Sequence, residues 1–201
     1  SGFVELNPNS KFPALLDTTT NTRMFETGSI LLQLAEKFDN VFIPEDKRSE
    51  VLNWLFWQIG SAPYVGGGFV HFYCQAPYKM KYPIDRYTQE TKRILDVLEK
   101  QLAKTQKFVC GDEYTLADIA IYPWYGCLVQ GQMIKGSDTF LNVKNDYPNV
   151  IRWADEVSQR PGVMRGSMVN RKNGEDKSQL LKERHDASDF ELRTEDKLEK
   201  K

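Results

Sequence analysis

The 201 residues carry 27 Lys and Arg against 28 Asp and Glu, a formal charge of −1. That balance forces no basic face and argues against a nucleic-acid protein, and no apolar run approaches the ~20 residues of a membrane span. Surface scaling gives a chain of this length about 70% burial, enough for a real core. Three widely spaced cysteines exclude a disulfide framework and point to a reducing compartment. The first residues have neither the basic start nor the apolar stretch of a signal peptide. A chain opening on Ser rather than Met reads as starting at an internal position.

Asn7-Pro8-Asn9-Ser10 is a turn cluster. Ala14-Leu15-Leu16-Asp17 predicts a short strand, Thr18-Thr19-Thr20-Asn21 a hairpin turn, and Thr22-Arg23-Met24-Phe25 the return strand. From Glu26 the period becomes helical, with Ile30, Leu31, Leu34 and Phe38 on one face. Residues 50–59 predict a buried helix with Leu52, Leu55, Phe56 and Ile59 at core spacing, and residues 60–68 interrupt it. Residues 82–104 predict a long amphipathic helix marked by Ile84, Tyr87, Ile94, Leu98 and Leu102, with Pro83 in its first turn. Gly111-Asp112-Glu113 is a loop. Thr115-Leu116-Ala117-Asp118 then opens an apolar helix through Ile119, Ile121, Trp124 and Leu128. Residues 148–158 give a further helix, closed by Arg160-Pro161-Gly162. From Arg171 the chain alternates charges and reads as a solvated extension, within which Phe190 could dock on another surface.

Five motifs invite chemistry. Lys11-Phe12-Pro13-Ala14 is an ordinary strand-start proline or a cis proline that turns the Phe12 backbone toward a ligand. In Phe25-Glu26-Thr27-Gly28-Ser29, Glu26 or Thr27 either caps a helix or helps a helix N-terminus hold a carboxylate, with Glu26 accepting from an ammonium group. Thr115-x-x-Asp118 is a capping box, a folding element rather than a catalytic one. Gly66-Gly67-Gly68 lacks the context of a phosphate loop and reads as a helix break near a cleft, with His71 and Tyr73 beyond it. Arg86 is either ion-paired at the surface or a bidentate partner for a ligand carboxylate. Cys74, Cys110 and Cys127 form no C-x-x-C, and no metal site is expected.

Together these segments resemble glutathione transferases. Asn7 to Leu15 is similar to an N-P-x-x-K-x-P-A-L run, Phe25 to Ile30 to the F-E-S-x-x-I glutathione-binding turn, and Thr115 to Ala120 to the capping box of the helical domain. Trp54-Leu55-Phe56-Trp57-Gln58 and Arg160-Pro161-Gly162-Val163 resemble the bacterial nu class, the glutathione-dependent disulfide-bond oxidoreductases; Glu183 to Phe190 resembles a C-terminal extension within it. The resemblance implies an α+β glutathione-transferase fold. Residues 1–42 would be the C-terminal part of a thioredoxin-like domain, 43–170 an all-helical domain, and 171–201 a charged extension. It implies a cytoplasmic homodimer that takes glutathione at the domain cleft as cosubstrate. Glu26 and Thr27 would hold the γ-glutamyl end, Thr27 replacing the usual serine. Phe12 would pair its backbone with the cysteinyl unit ahead of a cis Pro13. Arg86 would contact glutathione, and Lys11 its glycyl carboxylate.

The family's thioredoxin half begins with a strand, helix and strand that this chain does not contain. The Thr and Asn groups that orient the sulfur belong there, so the catalytic groups are expected upstream of Ser1, with a sheet edge left unpaired. The resemblance therefore implies the bulk of a glutathione-dependent disulfide reductase, with hydroperoxides as further substrates. The alternatives are a non-catalytic binding or regulatory module and, third, a detoxifying transferase acting on electrophiles.

Overall fold

A computed structural model describes residues 2–167; the charged extension and the Phe190 segment lie outside the described residues. After a short helix α1 (Gly2–Leu6), strands β1 (Ala14–Asp17) and β2 (Thr22–Phe25) pair antiparallel, Ala14 with Phe25 and Asp17 with Thr22. Asp17 makes the turn: its Oδ1 accepts the Thr19 N–H at 3.0 Å and the Thr19 hydroxyl at 2.6 Å. Lys37 reaches back to the other oxygen of Asp17, and together with Thr19 it holds that carboxyl well below the usual range.

Helix α2 (Thr27–Lys37) buries Ile30 and Ala35. Phe38, expected on that face, is 62% exposed because the helix has already ended and the chain has turned out. Helix α3 (Arg48–Pro63) buries Val51, Leu55, Gln58 and Ala62, spaced as one helical face. The expected face was rotated from this one: Leu52 and Ile59 are half-buried, and Phe56 is 63% exposed.

Residues 60–68 do not break the helix. The chain runs on into a wide-wound π segment, Tyr64–Gln75, that packs against the long helix α4 (Lys81–Thr105). The glycines allow close approach rather than a turn. A Cβ on Gly66 would stand 2.7 Å from the Trp124 ring, and one on Gly68 2.3 Å from the Tyr87 ring. Helix α4 buries Ile94, Leu98 and Leu102 as expected, with Ile84 and Tyr87 half-buried, and ends on a left-handed Gln106.

Helix α5 (Leu116–Ile121) begins at the capping box. Asp118 is fully buried and accepts four hydrogen bonds. Oδ1 takes the Val109 N–H at 3.0 Å and Trp153 Nε1 at 2.8 Å; Oδ2 takes the Thr115 N–H at 2.9 Å and its hydroxyl at 3.0 Å. Burial still raises this carboxyl above the usual range, against those donors. A second wide turn, Tyr122–Gly126, leads to the short helices α6 (Cys127–Val129), α7 (Ser137–Phe140) and α8 (Val143–Asp146).

Helix α9 (Pro148–Ser158) starts against Glu99, whose carboxylate accepts the N–H groups of Asn149 and Val150 at 3.0 Å each. Arg160-Pro161-Gly162 does not simply close α9: Pro161 opens another helix, α10 (Pro161–Ser167). Two compact units divide at Ala154 and Asp155, inside α9. Among the described residues no helix is long and apolar enough to cross a membrane.

Candidate functional site

The hairpin register builds the site. Ala14 pairs with Phe25, so the next residue outward on each strand, Pro13 and Glu26, leaves the sheet at the same end. That brings Phe12 and Pro13 beside Glu26 and Thr27.

The Phe12–Pro13 bond is cis. The Phe12 ring is 88% exposed and lies 5.0 Å from the Phe3 ring. Among the described residues no hydrogen bond engages the Phe12 backbone, which leaves its N–H and C=O for an extended, peptide-like ligand. Asn7 shapes the approach. It is buried, its Nδ2 donates to the Lys11 carbonyl at 2.6 Å, and its Oδ1 accepts the Asn9 N–H at 2.9 Å. The sequence marks Asn7 as a turn residue and as the first residue of the N-P-x-x-K-x-P-A-L run, but neither gives it this supporting role.

Glu26 is the N-cap of α2, at φ 69° and ψ 125°. A non-glycine residue in the left-handed region stores about 1–3 kcal/mol and is held there by its surroundings. Glu26 makes no side-chain cap hydrogen bond. The first turn of this 11-residue helix therefore keeps N–H donors that Glu26 does not cap, at the positive end of the helix dipole. Thr27 and Glu26 are both exposed, while Met24 and Gly28 beside them are buried, Gly28 closely against Ile59. The arrangement pairs an anion-binding helix start with a carboxylate, which suits a ligand end carrying both charges.

Lys11 and Arg86 are placed differently. Lys11 is exposed in the loop that Asn7 closes. Arg86 stands near the start of α4, 3.4 Å from Glu90, in a groove with Tyr64, Phe72, Tyr82, Pro83 and Tyr87. None of Lys11, Phe12, Pro13, Glu26 and Thr27 lines that groove. His71 is exposed, its ring edge-on to Phe72 at 4.9 Å. Among the described residues no group of three or more His, Cys, Asp or Glu could hold a metal ion.

All three cysteines are free. Cys74 is exposed, whereas burial pushes the Cys110 thiol up to about 12. Only the thiolate alkylates, so iodoacetamide at about pH 8 is expected to label Cys74 and spare Cys110 until denaturant is added. Peptide mapping checks this; labelling of native Cys110 at the rate of Cys74 would contradict the buried placement.

The model of the glutathione S-transferase C-terminal domain matches residues 61–161. The chain belongs to the glutathione S-transferase family. It is 59% identical to the disulfide-bond oxidoreductase YghU of Escherichia coli K12, over 98% of this chain and 68% of that protein. It is 34% identical to the disulfide-bond oxidoreductase YfcG of the same organism, over 80% of this chain and 73% of that one. Among solved structures, glutathione transferase YghU from Streptococcus pneumoniae, complexed with glutathione, superposes with a TM-score of 0.80 at 53% identity, covering 86% of this chain and 66% of that one. The chain thus spans about two thirds of the length of its YghU relatives. A Burkholderia graminis glutathione transferase with two glutathione molecules per subunit matches at TM-score 0.73 and 36% identity, over 86% of this chain and 72% of that one.

Proposed function

We propose that this chain binds glutathione where the hairpin meets α2, and that it is the greater part of a glutathione-dependent disulfide reductase. The observation that carries the reading is the shared end of the two strands, where the Phe12 backbone, without a hydrogen bond among the described residues, stands beside Glu26 at the start of α2. The α2 N–H groups and the Thr27 hydroxyl donate to the γ-glutamyl carboxylate, Glu26 accepts from its ammonium, and the Phe12 backbone pairs with the cysteinyl amide. The family resemblance offers Lys11 for the glycyl carboxylate and Arg86 as a further contact to glutathione.

In the reaction, the glutathione thiolate attacks one sulfur of a disulfide. A new S–S bond forms, the old one breaks, and the released thiolate takes a proton. A second glutathione resolves the mixed disulfide, giving oxidised glutathione and a second free thiol. Hydroperoxides are a further substrate class. A homodimer is part of the proposal, supported by exposed Leu15, Leu16 and Phe56. A cytoplasmic location is supported by three free cysteines.

The test is glutathione-dependent reduction of bis(2-hydroxyethyl) disulfide by this chain, alongside calorimetric titration of glutathione into wild type and Glu26→Gln. A charge-assisted hydrogen bond is worth about 1.5–3 kcal/mol, so Glu26→Gln is expected to weaken glutathione at least about tenfold. Exposed Glu26 should leave the unfolding midpoint nearly unchanged. Binding without turnover in a folded form that also carries the family's upstream strand, helix and strand would favour a non-catalytic glutathione-binding module; equal affinity in wild type and variant would remove Glu26 from the site.

A further inference from the structure

One residue organises the loop ahead of β1. Asn7 is 2% exposed, although the residues that follow it in the loop are exposed. Both its backbone and its side chain are engaged. Its N–H donates to the Phe3 carbonyl at 2.9 Å, and its C=O accepts the N–H of a left-handed Ser10 at 2.9 Å. Its Oδ1 accepts the Asn9 N–H at 2.9 Å, and its Nδ2 donates to the Lys11 carbonyl at 2.6 Å. The first three bonds end α1 and close the turn. The fourth reaches past the turn, to the peptide unit that Lys11 shares with Phe12.

That unit is trans and planar, so its C=O and its N–H point to opposite sides. Holding the Lys11 carbonyl on Asn7 therefore sets the direction of the Phe12 N–H, away from Asn7. Among the described residues no other hydrogen bond holds the backbone of Lys11 or Phe12. Both residues are exposed, and the direction of this donor depends on a side chain four residues upstream. A donor fixed before the ligand arrives costs less ordering on binding than one that must be turned into place. A residue serving the turn alone would need its backbone and Oδ1; the amide nitrogen is spent on Lys11.

We infer that Asn7 is a positioning residue for glutathione: through the Lys11 carbonyl it aims the Phe12 N–H at the cysteinyl carbonyl of the ligand, without touching the ligand itself. The inference rests on the glutathione-binding reading of this site and assigns the residue that orients one of its donors.

The test titrates two ligands calorimetrically into the 201-residue chain and into Asn7→Asp. One is glutathione. The other is its analogue with the Cys–Gly amide replaced by an (E)-alkene, which keeps charge and length but has no cysteinyl carbonyl. Asn7→Asp keeps an acceptor for the Asn9 N–H and sets an oxygen, in place of the donor, against the Lys11 carbonyl. Circular dichroism checks its fold, and Asn7→Ala, which removes the donor without adding charge, takes its place if the aspartate variant does not fold. Wild type is expected to bind glutathione about fivefold tighter than the alkene, the worth of one neutral hydrogen bond. The Asn7 variant is expected to weaken glutathione about fivefold and the alkene less than about twofold. Equal weakening of both ligands would overturn the inference and leave Asn7 a structural role alone. Glutathione affinity unchanged in the variant would overturn it while the glutathione reading stands, as would equal affinity of wild type for the two ligands. Wild type that binds neither ligand would remove the glutathione reading, and this inference with it.

Discussion

Asp118→Ala is expected to cost roughly 3–5 kcal/mol, a large fraction of a domain's total stability of about 5–15 kcal/mol. One buried carboxylate accepts from Val109, Trp153 and twice from Thr115. Alanine removes every acceptor at once. It strands two backbone N–H groups and an indole N–H in a site closed to water, and each stranded donor costs about 1–3 kcal/mol. It also deletes the cap that starts α5, on which Leu116, Ala117 and Ile121 enter the core. Asp118→Asn separates the contributions: its amide oxygen keeps two acceptor contacts, while its NH₂ group faces donors on the other side. Urea unfolding should place it between wild type and alanine, with the slope unchanged. A loss below about 1 kcal/mol for alanine would mean that the network does not hold α5 in place.

The adjacent glycines of the π segment should respond with opposite signs. A Cβ at position 68 would meet Tyr87 carbons at 2.3, 2.6 and 2.9 Å. The ring has little room to yield, being stacked on Phe72. Overpacking of this kind costs about 1–3 kcal/mol, against a helix-propensity gain of at most about 1 kcal/mol. Gly68→Ala is therefore expected to lower the unfolding midpoint and to push Tyr87 into the α4 groove. At Gly67 a Cβ meets nothing within 4 Å, so Gly67→Ala keeps the propensity gain and should raise the midpoint. Urea titration of both variants decides it; the same sign at both positions would contradict the packing described for Gly68.

What could be read from the sequence was local. The hairpin follows from a short apolar run ended by a Thr-rich turn, and the capping box from a spacing of three; both are settled within a few residues. The phase of α3 depends on distant partners. Gln58 and Ser61 are buried there, Ser61 beside the Tyr125 hydroxyl at 2.5 Å, while apolar Phe56 faces outward. Polarity therefore pointed to the wrong face. Gly60 to Gly68 looked like a break because glycine is a poor helix former; contacts with Trp124 and Tyr87, which lie far along the chain, explain Gly66 and Gly68. At the site, Phe12, Pro13, Glu26 and Thr27 were visible as motifs. The left-handed Glu26, its uncapped helix start and the supporting role of Asn7 required coordinates. The composition of the α4 groove is likewise assembled from Tyr64 to Tyr87 by packing, and no motif marks it.

The central claim is that the hairpin end and the start of α2 form a glutathione site within this chain. Thermal unfolding with and without glutathione tests it most directly. A ligand at a hundred times its dissociation constant adds about 2.7 kcal/mol, so a clear rise in Tm is expected that grows with the logarithm of glutathione concentration. A cooperative melt whose Tm does not move at any glutathione concentration would contradict the claim.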